Sequence, residues 1–96
     1  ESAWQAGIRP DRRCGRISLQ RYQRLGEAIQ DVLSRAVIQG GTTLNDYVQP
    51  DGEPGYFQHH FEVYGRAGET CSRCEGSIRR VVKGQRSLFF CSGCQK

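Results

Sequence analysis

Four cysteines stand near the end of the chain as Cys71-Ser72-Arg73-Cys74 and Cys91-Ser92-Gly93-Cys94, with sixteen residues between the pairs. Paired Cys-x-x-Cys turns at that separation are the pattern of a structural zinc site. Each pair sets two sulfurs on one tight turn, and the stretch between is long enough for a β-hairpin that brings the turns together. Four thiolates then fill a tetrahedral shell and leave no position for water, so the metal folds the segment and does no chemistry itself. Two disulfides, or an iron centre of the rubredoxin kind on similar knuckles, are the alternatives. One structural Zn2+ is the favoured reading.

Ninety-six residues allow one compact domain or two small subdomains sharing a boundary. A hydrophobic content of 36% and a mean hydropathy of −0.65 leave a thin core, so the metal is expected to supply folding energy that burial does not. No apolar run approaches the length of a membrane span, no signal peptide is recognisable, and the thiol pattern suits a reducing, intracellular compartment. The sequence opens Glu1-Ser2-Ala3-Trp4 and holds no methionine, which reads as a processed chain or a fragment.

The net charge of +4 is unevenly placed. Residues 1–65 carry seven Arg against eight Asp and Glu, whereas 66–96 carry Arg66, Arg73, Arg79, Arg80, Lys83, Arg86 and Lys96 against Glu69 and Glu75. The whole excess therefore sits on the cysteine-bearing end, the footprint of a polyanionic partner such as nucleic acid. A merely soluble, charged zinc ribbon would show the same imbalance.

The elements that must position these groups can be read in outline. Residues 1–7 look like the last turns of a helix stopped by Gly7, and 8–15, with Pro10 and several Arg, like an irregular connection. Ser18 is a good N-cap, and Leu19, Tyr22, Leu25, Ile29, Val32, Leu33, Ala36 and Val37 follow at helical spacing. This predicts a helix of about twenty residues, ending at Gly40-Gly41, whose apolar stripe packs in the core. A second, short helix is expected around 44–48, capped by Thr42 or Thr43. The run Gln49-Pro50-Asp51-Gly52-Glu53-Pro54-Gly55 can only be a loop, and 56–64 is apolar and aromatic enough to be buried. Two short strands follow at 78–82 and 87–90, turning at Lys83-Gly84-Gln85, with Arg86 beside the turn at the end away from the metal.

Five separated motifs carry a resemblance. They are Ala6-Gly7-Ile8-Arg9-Pro10, Gly40-Gly41-Thr42-Thr43-Leu44, Asp51-Gly52-Glu53-Pro54-Gly55-Tyr56-Phe57, Val63-Tyr64-Gly65-Arg66 and the four-cysteine segment. In this order they resemble the C-terminal domain of formamidopyrimidine-DNA glycosylases of the endonuclease VIII superfamily, over essentially the whole chain. The fold class implied is a small α+β domain, a helix-two-turn-helix half followed by a four-cysteine zinc-bound β-hairpin. The expected division is 1–65 for the helical half, truncated at its start and carrying a lesion-capping loop at 49–57, and 66–96 for the zinc finger.

The resemblance implies damaged-DNA binding within a bifunctional glycosylase and AP lyase that excises oxidised purines, 8-oxoguanine and formamidopyrimidines, in base excision repair. The rival reading is a zinc-ribbon module for protein partners or undamaged nucleic acid. The implied partners are duplex DNA with an oxidised purine or abasic site and an N-terminal catalytic domain, in a monomeric, cytoplasmic, nucleoid-associated bacterial protein. The family's nucleophile is the secondary amine of an N-terminal proline, followed by a catalytic glutamate. Neither is present, since Pro10, Pro50 and Pro54 are internal, and an Asn-containing phosphate-contact motif is missing too. By the resemblance, Arg86 contacts the phosphates flanking the lesion, with Lys83 and Arg79 beside it, and Asp51, Gly52, Glu53, Pro54, Gly55 and Tyr56 close over an everted base. The metal set is Cys71, Cys74, Cys91 and Cys94.

Some positions depart from the family pattern. Glu75 stands where a knuckle usually has glycine, so the first turn is expected to be strained. Leu88 replaces a small or hydroxyl residue two places after Arg86, and any side-chain contact to DNA there is not expected to carry over. Cys14 reads as a spectator thiol, His59-His60 as a capping or surface pair, and Trp4 as core for the first helix.

Overall fold

The computed structural model describes residues 1–41, 55 and 57–96, without the side chains of Gln58 and His59. The expected short helix at 44–48 and loop positions 51–54 and 56 lie outside these residues. The first helix, α1 (Ser2–Ala6), stops at Gly7, whose φ of 74° is the left-handed conformation that glycine adopts without steric cost. The Gly7 N–H reaches the Trp4 carbonyl at 3.1 Å, and the Ile8 N–H reaches that of Ala3 at 2.9 Å. A connection containing a 3-10 turn at Cys14–Arg16 leads to α2 (Leu19–Ile38). As read from sequence, Ser18 caps α2, its Oγ accepting the Arg21 N–H at 3.3 Å. The helix closes on Gly40 (φ 77°) and Gly41 (φ 83°), the latter donating to the Ala36 carbonyl at 2.7 Å.

The apolar stripe of α2 is not the continuous core it was expected to be. Ala28 and Val32 are buried, but Leu19, Leu33, Val37 and Ile38 are 60–79% exposed. The reason is length. At about 1.5 Å per residue, five-residue α1 covers about 7 Å of a helix about 30 Å long.

Among the described residues the sheet is one antiparallel hairpin, β1 (Ile78–Lys83) and β2 (Arg86–Cys91). Its register runs from Ile78 opposite Cys91 to Lys83 opposite Arg86, one pair further at the tip than the sequence suggested. The turn is therefore two residues, Gly84 (φ 54°) and Gln85 (φ 69°), both left-handed as a type I′ turn requires. In the expected buried segment, Phe57 and Val63 are buried, while Tyr64 is 45% exposed and His60 is exposed.

Two small cores result, and α1 touches both. Val63, Cys71, Ile78 and Cys91 pack with Trp4, Phe89 and Cys94, and Ala6, Ile8 and Ala28 pack with Ile17 and Leu25. Buried polar atoms join the parts. The Gln95 amide accepts from the Cys91 N–H at 2.7 Å and donates to the Ile8 carbonyl at 2.9 Å, tying the hairpin base to the connection after α1. The Glu1 carboxylate accepts the backbone N–H groups of Glu62, Val63 and Tyr64 at 2.9–3.1 Å. Gln95→Leu keeps the volume but leaves two buried backbone groups unpaired. It should cost about 1–3 kcal/mol in denaturant unfolding with zinc bound, and an unchanged midpoint would show that water replaces the amide.

Candidate metal centre and nucleic-acid interface

The hairpin brings its two ends together at the cysteines. The four Sγ atoms of Cys71, Cys74, Cys91 and Cys94 lie within 4.8 Å of one another, with Cys71 to Cys94 at 3.9 Å and Cys74 to Cys91 at 3.3 Å. Zinc–sulfur bonds of about 2.3 Å in a tetrahedron put the sulfurs about 3.8 Å apart, so the set fits one zinc ion. No Sγ–Sγ bond joins them, since all five cysteines of the chain are free. Backbone geometry supports the cluster. A Cβ on Gly93 would lie 3.0 Å from the Cys74 sulfur, and one on Gly76 3.3 Å from those of Cys74 and Cys91. Glu75 takes the left-handed conformation at φ 64°, the strain expected from its place in the knuckle, worth about 1–2 kcal/mol.

Each sulfur meets different surroundings. Burial works against the Cys71 thiolate, but the Trp4 indole N–H at 3.4 Å and backbone N–H groups of Arg73 and Cys74 bring its pKa from 9.0 down to about 6. The Gly76 N–H favours the Cys74 thiolate, yet the adjoining cysteines, with burial, push it up to about 12. Cys94 is raised chiefly by burial, despite the Arg73 guanidinium. So placed, Cys71 favours its thiolate, while Cys74 and Cys94 resist charge until a cation sits among the sulfurs.

Lys83 and Arg86 stand at the other end of the hairpin, while Arg79 pairs with Phe90 near the cysteines. Directly opposed residues share a face, so Arg79, Val81 and Lys83 lie with Phe90, Leu88 and Arg86 on one side. Arg9 stacks over Phe90 on that side, 4.7 Å from the ring centre. Asp11 pairs with Arg9 at 2.6 Å and also feels Lys83, and its carboxyl is held below its usual value mainly by that Arg9 hydrogen bond. Arg86 and Tyr64 line a cleft at the turn with Gly84, Gln85 and Ser87. Edge-to-face rings run from Phe57 through Phe61 and Tyr64 to Phe89, at centroid distances of 5.7, 5.4 and 5.0 Å.

Of the loop residues singled out, only Gly55 is described. It is buried, and a Cβ there would lie 2.5 Å from the Gly41 carbonyl carbon, so only glycine fits against the end of α2. Among the described residues, Cys14 is exposed and makes no metal cluster, its carbonyl accepting the Tyr22 hydroxyl. Sequence reasoning missed Glu1, Gln95 and Arg73. Arg73 alone had a signal, since a side chain inside a Cys-x-x-Cys turn starts beside the sulfurs.

Cys91→Ser removes one of four ligands and should lose the metal and melt the hairpin. Protons compete with zinc for the same sulfurs. Zinc content should therefore drop as the pH is lowered from neutral into the acid range. Elemental analysis of freshly purified, reduced protein across that range checks both.

A family described as a zinc finger found in FPG and IleRS matches residues 68–96. The formamidopyrimidine-DNA glycosylase of Herminiimonas arsenicoxydans is 50% identical over all 96 residues, which cover 35% of its length. That of Alcanivorax borkumensis is 51% identical over the same span, 36% of its length. The crystal structure of the MutM (Fpg) protein from Thermus thermophilus superposes on 99% of this chain and 36% of its own at a TM-score of 0.90, with 40% identity. Lactococcus lactis Fpg in complex with abasic-site DNA superposes on all of this chain and 35% of its own, also at 0.90, with 31% identity. The chain thus spans about a third of the curated relatives it resembles. Over its whole length, therefore, the chain matches the C-terminal part of formamidopyrimidine-DNA glycosylases, zinc finger included.

Proposed function

We propose that the chain is the damaged-DNA-binding part of a bifunctional DNA glycosylase and AP lyase acting on oxidised purines. The observation that carries this reading is the whole-length match to formamidopyrimidine-DNA glycosylases, one of them bound to abasic-site DNA. In this reading residues 1–65 form the helical half and 66–96 the finger. Zinc on Cys71, Cys74, Cys91 and Cys94 holds the hairpin, whose basic face meets the duplex. No helix among the described residues is long and apolar enough to cross a membrane, and the protein acts in the bacterial cytoplasm on nucleoid DNA.

The chemistry of the grip follows from the hairpin tip. Lys83 and Arg86 are directly opposed like charges, a pairing that costs stability in a free sheet. A phosphate between or beside them removes that cost. The Arg86 fork can take two phosphate oxygens without reading a base, Lys83 adds a point charge, and Arg79 extends the contact along the same face. The loop from Asp51 through Gly52, Glu53, Pro54 and Gly55 to Tyr56 frames the extruded base largely through its backbone. Gly55, pinned against Gly41, anchors one end of that loop.

Excision requires an unprotonated amine placed against the sugar, and these residues supply none with that environment. Lysine and α-amines are mostly protonated near neutral pH, and Lys83 and Lys96 are both exposed. The chemistry therefore belongs to a catalytic domain carrying an N-terminal proline.

Arg86→Ala should weaken binding to all duplexes alike and lower the salt slope by about 0.9 per lost phosphate contact. An unchanged slope and affinity would return Arg86 to a solvated turn. Equal affinity for abasic-analogue and undamaged duplex would favour the general zinc-ribbon reading. The 96 residues alone should give no borohydride-trapped adduct with 8-oxoguanine duplex, and trapping at the rate of a complete glycosylase would place a nucleophile within them.

A further inference from the structure

Trp4 and Arg73 lie on opposite sides of the boundary between helix and metal centre, and each touches both. The Trp4 indole N–H donates to the Cys71 sulfur at 3.4 Å. The Arg73 guanidinium stacks 4.1 Å from the centre of the Trp4 ring and donates to the Cys94 sulfur at 3.1 Å. The same guanidinium donates to the Trp4 carbonyl and, at 3.4 Å, to that of Gln5. These are carbonyls of the last turn of α1, where a cation is favoured, and that of Trp4 also accepts the Gly7 N–H.

We propose that Trp4 and Arg73 are positioning residues that make α1 an outer part of the metal centre, so that zinc occupancy sets where the helix sits. Four thiolates around Zn2+ carry a net double negative charge, and sulfur accepts hydrogen bonds more strongly as a thiolate than as a thiol. With zinc bound, the sulfurs attract both the Arg73 guanidinium and the Trp4 N–H, and Arg73 holds the carboxyl end of α1. Without zinc, nothing ties the Cys71 turn to the Cys94 turn, and the two sulfurs that the Trp4 and Arg73 clamp reaches are no longer held in fixed positions. Arg73 is suited to this by its planar fork, which reaches a sulfur and two carbonyls while its face covers the indole. Lysine offers a cation without the fork.

The effect travels further along α1. Glu1, at the opposite end of this five-residue helix, holds the Glu62–Tyr64 backbone, and Tyr64 lines the cleft beside Arg86. Metal loss would therefore loosen the helical side of that cleft as well as the hairpin. This inference rests on the four-cysteine zinc reading, and the experiment separates the two.

The measurement is amide hydrogen exchange on the full protein that carries these residues, with zinc bound and after stripping by a chelator, together with the zinc release rate. In the unmodified protein, stripping should speed exchange at Gln5 and Ile8, whose N–H groups bond within and behind α1, while amides near Val32 in α2 stay protected. Arg73→Met keeps the stem without the cation, and Trp4→Phe keeps a ring without the N–H. Both should still bind one zinc per chain, release it ten- to a hundredfold faster, as loss of an outer contact to a metal ligand does, and show fast α1 exchange even when loaded. Arg73→Lys should fall between Arg73→Met and the unmodified protein. Absence of zinc from the unmodified protein would sink the zinc reading itself. Zinc present, with α1 exchange unaltered by its removal or accelerated equally throughout α2, would overturn the clamp alone.

Discussion

Four sulfur atoms within 4.8 Å of one another cannot all be charged in the absence of a cation, and much of the structure is arranged on that electrostatic constraint. Neighbouring cysteines, with burial, push Cys74 up to about 12, whereas the Trp4 and backbone N–H groups draw Cys71 down to about 6. A cation among the sulfurs turns this mutual repulsion into attraction. Cys71 and Cys91 are also buried members of the hairpin-side core, so metal ligation and apolar packing fix the same residues. The two cores are small enough that neither stands far from the sulfurs.

The hairpin converts this fixed base into a positioned tip. Four ladder pairs lie between the Ile78–Cys91 pair and the Lys83–Arg86 pair, and the left-handed Gly84 and Gln85 make the turn as short as a hairpin allows. Two cations opposed across the ladder are a local defect in the free protein, and the metal-bound base supplies stability that offsets it. Functional sites commonly hold such locally unfavourable arrangements. Phe57, Phe61, Tyr64 and Phe89 brace the hairpin from the side, one ring edge against the next face.

Legibility in the sequence followed contact distance along the chain. The cysteine knuckles, the Ser18 cap, the Gly7 and Gly40-Gly41 stops and the two short strands with their turn are local signals, and all are readable. The stripe on α2 was readable as amphipathic, but periodicity says only that a face is apolar, not that enough chain is present to cover it. The Trp4 and Arg73 contacts, Gln95 on Ile8 and Glu1 on the Glu62–Tyr64 backbone join residues 61–87 positions apart. No spacing rule encodes them. The resemblance to a family points to Arg86 and the 51–56 loop as proposed DNA contacts but is silent on the Trp4 and Arg73 contacts, which are properties of this chain's own packing.

Those separations bear on the order in which the molecule assembles. Closing the hairpin joins residues no more than thirteen positions apart, whereas docking α1 onto the Cys71 turn closes a loop of 67. Each doubling of loop length adds about 0.6 kcal/mol of closure entropy, so the short loop has the lower barrier. The cysteine segment can gather its ion while α1 is still undocked, and the helix then meets a finished, charged surface. Because Trp4 and Gln95 bind parts of the chain far from their own, α1 docking is the step that turns a self-contained finger into part of a larger body.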